Sequence, residues 1–182
     1  DSPEVTRFLR AVDVRIDGFR VEKAPEGRGQ RVFVKHEVDG KGYELRLSEE
    51  SAGTQKLMGL AAFLLAALAR GGTVVVDELD AKLHPKLLRY VILLFKDPEV
   101  NKHGAQLIFS SQDVSTMRND VFRRDEIWFA ARGEGEASQL WSLADIHEAN
   151  GNLVSKNAAF DKQYLSGRYG ADPYLTRIEE WD

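Results

Sequence analysis

Thr73-Val74-Val75-Val76 is a short run of β-branched residues with no apolar/polar alternation, set between Gly71-Gly72 and the acidic pair Asp77-Glu78. A strand that is apolar on both sides has to be covered on both sides, which is the situation of a strand inside a parallel sheet. Parallel neighbours need a long connection between them, usually a helix. The flanking sequence provides the parts. Gly53 to Arg70 is rich in Ala and Leu and stops at glycine, which predicts a helix apolar on nearly every side. His84-Pro85 opens a second helix, with proline tolerated in its first turn, running to about Lys96. Gln106 to Phe109 is another short apolar strand. Strands alternating with helices from residue 53 to 131 predict an α/β core built on a parallel sheet.

The ends read differently. Phe8 to Ile16, with Val12, Val14 and Ile16, alternates loosely and predicts a strand. Lys23 to Gln30 carries Pro25, Gly27 and Gly29 among charges and reads as a loop. Arg31–Val38 and Tyr43–Leu47 are strand-like around Asp39-Gly40, a hairpin turn signal. Residues 1–47 therefore form an antiparallel β unit, 48–142 the core, and 143–182 a mostly helical tail that becomes irregular. Glu126–Ala131 and Ser138–Ser142 predict two further strands joined through Gly133 and Gly135, with Trp128 and Trp141 as core residues.

Composition removes several classes of function. There are no cysteines among the 182 residues, which excludes disulfides, thiolate zinc sites and cysteine nucleophiles. Hydrophobic residues make up 43% and charged residues 30%, enough for a packed core. A net charge of −4 gives no global attraction to nucleic acid. The cluster Arg118, Arg123 and Arg124 reads as a solvated face, so a nucleic-acid partner is unsupported. Leu57 to Ala69, the longest apolar run, is short of the roughly 18 residues a membrane span needs. With no secretory leader, the expectation is a cytoplasmic protein with no membrane partner. His36, His84, His103 and His147 lack metal-ligand spacing.

Two stretches can carry chemistry. Asp77 and Glu78 follow directly on a buried strand, so they sit at its carboxyl end, where open α/β sheets bind ligands. Asp77 is placed to hold Mg²⁺, directly or through water, and Glu78 to polarise a water for attack on a γ-phosphate. A strand that merely ends in an acidic turn would show the same residues. Ser51-Ala52-Gly53-Thr54 begins the first helix. Free backbone N–H groups and the positive end of the helix dipole make that start a surface for phosphate. An ordinary N-cap by Ser51 or Thr54 is the alternative.

In combination these residues resemble the ABC-type ATPases. The nearest group is the AAA-like ATP-binding proteins akin to abortive-infection and other phage-defence ATPases, with SMC-like and RecF-like proteins more distant. Glu50-Ser51-x-Gly53-Thr54 resembles that group's signature motif. Asp77-Glu78-Leu79-Asp80-x-x-Leu83-His84-Pro85 resembles its Walker B and D-loop, and Gln106 to Asp113 its switch strand. The string Tyr164 to Tyr174 is similar to the group's closing segment. The likeness covers roughly residues 45 to 175 and implies the fold class of a parallel-sheet, ABC-type nucleotide hydrolase core, here incomplete.

The resemblance also implies a composite site that takes ATP and Mg²⁺. Two domains pair head to tail as a homodimer. Each ATP lies between the P-loop and Walker B of one domain and the signature motif of the other. Ser51, Gly53 and Thr54 would then contact the nucleotide held by the partner, and Asp80 would sit near the dimer seam. Gln112 stands where the group has a switch histidine. Glutamine donates and accepts hydrogen bonds but takes up no proton near neutral pH. No G-x-x-x-x-G-K-S/T string occurs in the sequence; the resemblance places the P-loop well before the signature, outside these residues. The function implied is an ATPase that dimerises on ATP to drive an effector, such as a nuclease, in phage defence. A DNA repair or chromosome maintenance ATPase is the rival, though the chain lacks long heptad arms. A non-catalytic dimerisation or docking module is a third reading.

Overall fold

The computed structural model describes residues 2–12, 16–23, 29–132 and 137–171. The chain divides into two compact units, Asp1–Gln112 and Asp113–Asp182.

The first unit opens with helix α1, Pro3–Val12, where a strand was expected. The reason is periodicity: Val5, Phe8, Leu9 and Val12 recur at i, i+3, i+4 and i+7, a helical stripe. Glu4 lies in its first turn and Arg10 in its last, each favourable to the helix dipole. Phe8 and Leu9 are buried, and α1 packs against α2 and β1. The expected Val14 falls outside the described residues. Strands β1 (Ile16–Lys23), β2 (Gln30–Val38) and β3 (Lys41–Arg46) then form an antiparallel sheet in the order β1-β2-β3. The hairpin between β2 and β3 turns at Asp39-Gly40 as expected, both with positive φ. Arg20 of β1 lies over the Phe33 ring at 4.0 Å. It also donates to Glu44 of β3 at 2.9 Å, and that hydrogen bond holds the Glu44 carboxyl below its usual range.

Helix α2 (Ala52–Arg70) follows, buried along Leu57, Ala61, Leu64, Ala67 and Leu68. Gly71 ends it in the left-handed region at φ 72. A Cβ there would meet the His103 carbonyl oxygen at 2.3 Å, so glycine is required both by conformation and by space. Strand β4 (Thr73–Val76) and, after helix α3 (Pro85–Lys96), strand β5 (Gln106–Phe109) pair in parallel, with Val76 opposite Phe109. This is the βαβ arrangement expected from the sequence. Ala67, Leu68 and Ala105 form a core with Val74, Leu94 and Phe95 beneath the pair. By length and composition alone, α2 could cross a membrane, contrary to the shorter apolar run read from the sequence. The core helix of a folded domain passes the same test, and α2 packs against α1 and β4.

In the second unit, β6 (Trp128–Arg132) and β7 (Ser138–Ser142) form an antiparallel pair. Their expected link through Gly133 and Gly135 lies outside the described residues. Phe129, Leu143, Val154, Phe160 and Tyr169 are the core, with Tyr164 stacked on Phe129 at 5.7 Å. Trp141 packs against this core, but Trp128 is 57% exposed, against expectation. Trp128 and the buried Phe129 alternate across the sheet, and Trp128 takes the outer face. The C-terminal part is also less helical than expected. Its helices among the described residues are a single turn at Leu143–Asp145 and α4, Phe160–Leu165. Glycines at positive φ, including Gly151, Gly167 and Gly170, break the chain there. The closing string is described as far as Ala171.

Candidate active site

The parallel register decides what stands at the carboxyl edge. With Val76 opposite Phe109, the next residues, Asp77 and Ser110, face each other across the strand ends. The Ser110 backbone N–H donates to the Val76 carbonyl at 3.1 Å, and its carbonyl accepts the Leu79 N–H at 3.0 Å. Its hydroxyl donates to Asp77 Oδ1 and accepts the Glu78 N–H at 2.8 Å. Four consecutive residues, Val76 to Leu79, are therefore tied to one serine. The sequence placed Ser110 only within the switch-like stretch Gln106 to Asp113, with no role of its own; its register position opposite Asp77 was the missing signal.

The loop itself is tightly turned. Glu78 has φ 48 and Lys82 φ 66, the left-handed region that non-glycine residues rarely enter. Ala81 N–H donates to the Glu78 carbonyl at 3.0 Å, and Leu83 N–H to that of Asp80 at 2.9 Å. Leu79 and Leu83 are buried and anchor the loop, while Asp77 and Glu78 are exposed at the edge. The loop ends at His84, whose ring Nδ1 accepts the Lys86 N–H at 3.1 Å and caps α3.

Gln112 lies at the same edge. Its backbone N–H donates to Asp80 Oδ2 at 3.2 Å, and its side chain is exposed. Asp80 Oδ1 is a buried acceptor with no partner among the described residues. Such an atom is costly unless another group satisfies it.

The signature-like residues meet this loop from the other side. Ser51 caps α2, accepting the Thr54 N–H at 3.1 Å, and its hydroxyl lies 2.8 Å from that of Thr54. A Cβ on Gly53 would come within 3.0 Å of the Lys82 carbonyl oxygen, so glycine lets the helix start approach the loop. Lys56, which the sequence reading passed over, donates from Nζ to the Glu78 carbonyl. His36 of β2 lies 2.6 Å from Glu50, beside the cap. A cavity of about 460 Å³ opens here, lined by Ser51, Gly53, Thr54, Lys82 and His84 over apolar residues of α1 and α2. The seven residues singled out from the sequence all lie in the first unit. Asp77, Glu78, Asp80 and Gln112 gather at the strand ends, and Ser51, Gly53 and Thr54 at the start of α2.

The family described as "AAA domain, putative AbiEii toxin, Type IV TA system" matches residues 4–118, which is more than half of the chain. A search of curated proteins returns no match. Among solved structures, one reported under "Structural biochemistry of ATP-driven dimerization and DNA stimulated activation of SMC ATPases" superposes with a TM-score of 0.50 at 19% identity. It covers 76% of this chain and 83% of that one. At that identity the likeness shows a common fold.

Proposed function

The chain belongs to this AAA-domain family, an ATP-binding module of the ATPase class on a nucleotide-hydrolase fold, and from that premise we propose that it works as one half of a composite ATP site in a homodimer. The observation that carries the reading is the carboxyl edge of β4. Asp77 and Glu78 stand there side by side, fixed by Ser110, in the same unit as a Ser51-capped helix start that meets the same loop. Glu78 polarises the attacking water. Ser51, Gly53 and Thr54 face the γ-phosphate of nucleotide held by the partner, through free N–H groups and the helix dipole. Gln112 orients water or contacts that phosphate. Asp80 lies at the seam, where a group from the second copy can satisfy Oδ1. The solved SMC ATPase, reported as dimerising on ATP, supports the pairing.

Asp77 suits Mg²⁺. One of its oxygens takes the Ser110 hydroxyl, leaving the other for a metal that is normally held by one or two carboxylates together with substrate phosphates. No cluster of three or more metal-ligating side chains occurs among the described residues, and Asp77 is the carboxylate this reading assigns to the metal. When bound, Mg²⁺ neutralises charge on the transferred phosphate.

The phosphate cradle comes from a P-loop-bearing segment of the same domain. The open face of the parallel pair supports this: Val75 is 74% and Ile108 57% exposed, whereas parallel sheets are covered on both faces. Both compact units then belong to one ATPase domain. In this reading ATP-driven pairing drives an effector, such as a nuclease, in phage defence. The family description of a toxin–antitoxin AAA domain favours that over DNA repair.

The test is phosphate release and light scattering on the 182-residue chain and on a version joined to its P-loop-bearing segment. The short chain should turn over negligibly. In the longer one, Glu78→Gln should lower kcat about 100-fold or more with ATP binding retained, and Ser51→Arg should abolish ATP-dependent dimerisation. Robust turnover by the short chain would overturn the incomplete, composite site, and unchanged turnover by Glu78→Gln would remove the water-polarising role of Glu78.

A further inference from the structure

We propose that Ser110 is a positioning residue that sets Asp77 and Glu78 as one unit, and that Lys56 closes the same clamp from α2. The inference rests on the ATPase reading of the two carboxylates but not on the identity of the partner or effector. A serine at the end of β5 could simply prolong the β-ladder. The ladder, however, needs only the Ser110 backbone, through Val76 and Leu79, and any residue would make those bonds. The hydroxyl adds two that alanine cannot: it donates to Asp77 Oδ1 and accepts the Glu78 N–H. A hydroxyl can do both at once.

The second observation is the conformation of Glu78. At φ 48 a residue with a side chain is strained, and such strain persists only where the surroundings over-determine it. Here they do. The N–H is held by Ser110 from the end of β5, and the carbonyl by Ala81 N–H within the loop and by the Lys56 ammonium from α2. The clamp grips the backbone of Glu78 on both sides and leaves its carboxylate exposed. It also holds one oxygen of Asp77, so the Asp77 carboxylate and the Glu78 backbone are fixed against the same serine. A hydrolytic site needs its groups held within a fraction of an ångström, and a four-residue strand with a mobile loop would not provide that.

The experiment uses Ser110→Ala, Ser110→Thr and Lys56→Met in the longer, P-loop-bearing protein, with Glu78→Gln alongside. Losing a hydrogen bond to a charged group corresponds to about a tenfold to hundredfold fall in kcat for Ser110→Ala, with KM and ATP affinity within about twofold of wild type. Ser110→Thr keeps the hydroxyl and should restore most of kcat; Lys56→Met should give a smaller kcat loss of the same kind. Amide hydrogen exchange on the 182-residue chain reads the clamp without activity. In Ser110→Ala the Glu78 amide should exchange about tenfold or more faster, while the Leu79 amide, bonded to the Ser110 backbone, keeps its protection. Should Ser110→Ala not fold, Ser110→Cys carries the same comparison with a weaker donor. If Glu78→Gln lowers kcat but Ser110→Ala changes neither kcat nor Glu78 exchange, the clamp is overturned and the ATPase reading stands. If Glu78→Gln leaves kcat unchanged, Glu78 is not the group that polarises the water, and the positioning role of Ser110 falls with that assignment, whatever the exchange shows.

Discussion

The parallel pair β4–β5 and the antiparallel pair β6–β7 are both two-stranded, and both leave large apolar side chains in the open: Val75 and Ile108 on the first, Trp128 and Leu140 on the second. The same exposure has different meanings. An antiparallel pair is stable with one wet face, whereas parallel strands occur almost only with both faces covered. The hairpin also packs its inner face over Phe129, Phe160 and Tyr169, and its loops carry none of the site residues. The parallel pair ends instead in a loop with two left-handed non-glycine residues and two exposed carboxylates. One pair is packed on a core along its inner face; the other keeps an open apolar face beside the site loop.

The largest test strikes the hairpin core. Phe129→Ala removes a ring in contact with Trp141, Tyr164 and Tyr169 and should cost about 3–5 kcal/mol. All three tryptophans follow Gln112, so their fluorescence reports the second unit alone. The fluorescence midpoint should fall, and far-UV circular dichroism should show whether the helices of the first unit melt with it.

Next in size is the paired substitution of open apolar positions. In the 182-residue chain, Val75→Ser and Leu140→Ser should each change stability by about 0.5 kcal/mol or less, as surface changes do. Joined to a P-loop-bearing segment, Val75→Ser should cost about 1.5–3 kcal/mol, the value of a newly buried side chain, and Leu140→Ser should stay small. Urea unfolding of the four proteins decides it; equal effects at the two positions would erase the distinction between the sheets.

A smaller effect is expected at the start of α2. Ser51→Ala removes the acceptor for the Thr54 N–H and should lower stability by about 1 kcal/mol, read as a lower urea midpoint at constant slope. Smallest is a pH effect in the second unit. Burial raises the Tyr169 phenol from 10.0 to about 12, because the charged form is disfavoured away from water. Its folded value lies above its unfolded one, so the contribution is fully present below about pH 10 and is lost as pH rises toward about 12. Tyr169→Phe should remove that part of the decline, measured by denaturation at pH 9 to 12.

Much of the first unit was legible because its signals are local. Four β-branched residues, a glycine stop, Asp39-Gly40 and His84-Pro85 specify their elements within a few residues, and α2, β4, α3 and β5 stand where the sequence puts them. The first helix was misread because Phe8–Ile16 offers both a loose alternation and, together with Val5, a helical stripe; packing against α2 chooses the stripe. In the second unit, Trp128 was read as core because tryptophan is usually buried, yet which face of a strand is inward depends on what the strand packs against.

At the site, the sequence by itself determined which carboxylates follow an apolar strand and which small residues begin a helix. It did so because strand and helix ends are set by neighbours in the chain. Only the tertiary structure decided that Ser110 stands opposite Asp77, that Lys56 reaches the Glu78 carbonyl, and that Gly53 lies under the Lys82 carbonyl. Each joins residues 22 or more positions apart. The register of β4 on β5 and the packing of α2 create those contacts, and Thr73–Val76, with no alternation and no tight turn to β5, carries no local signal for that register.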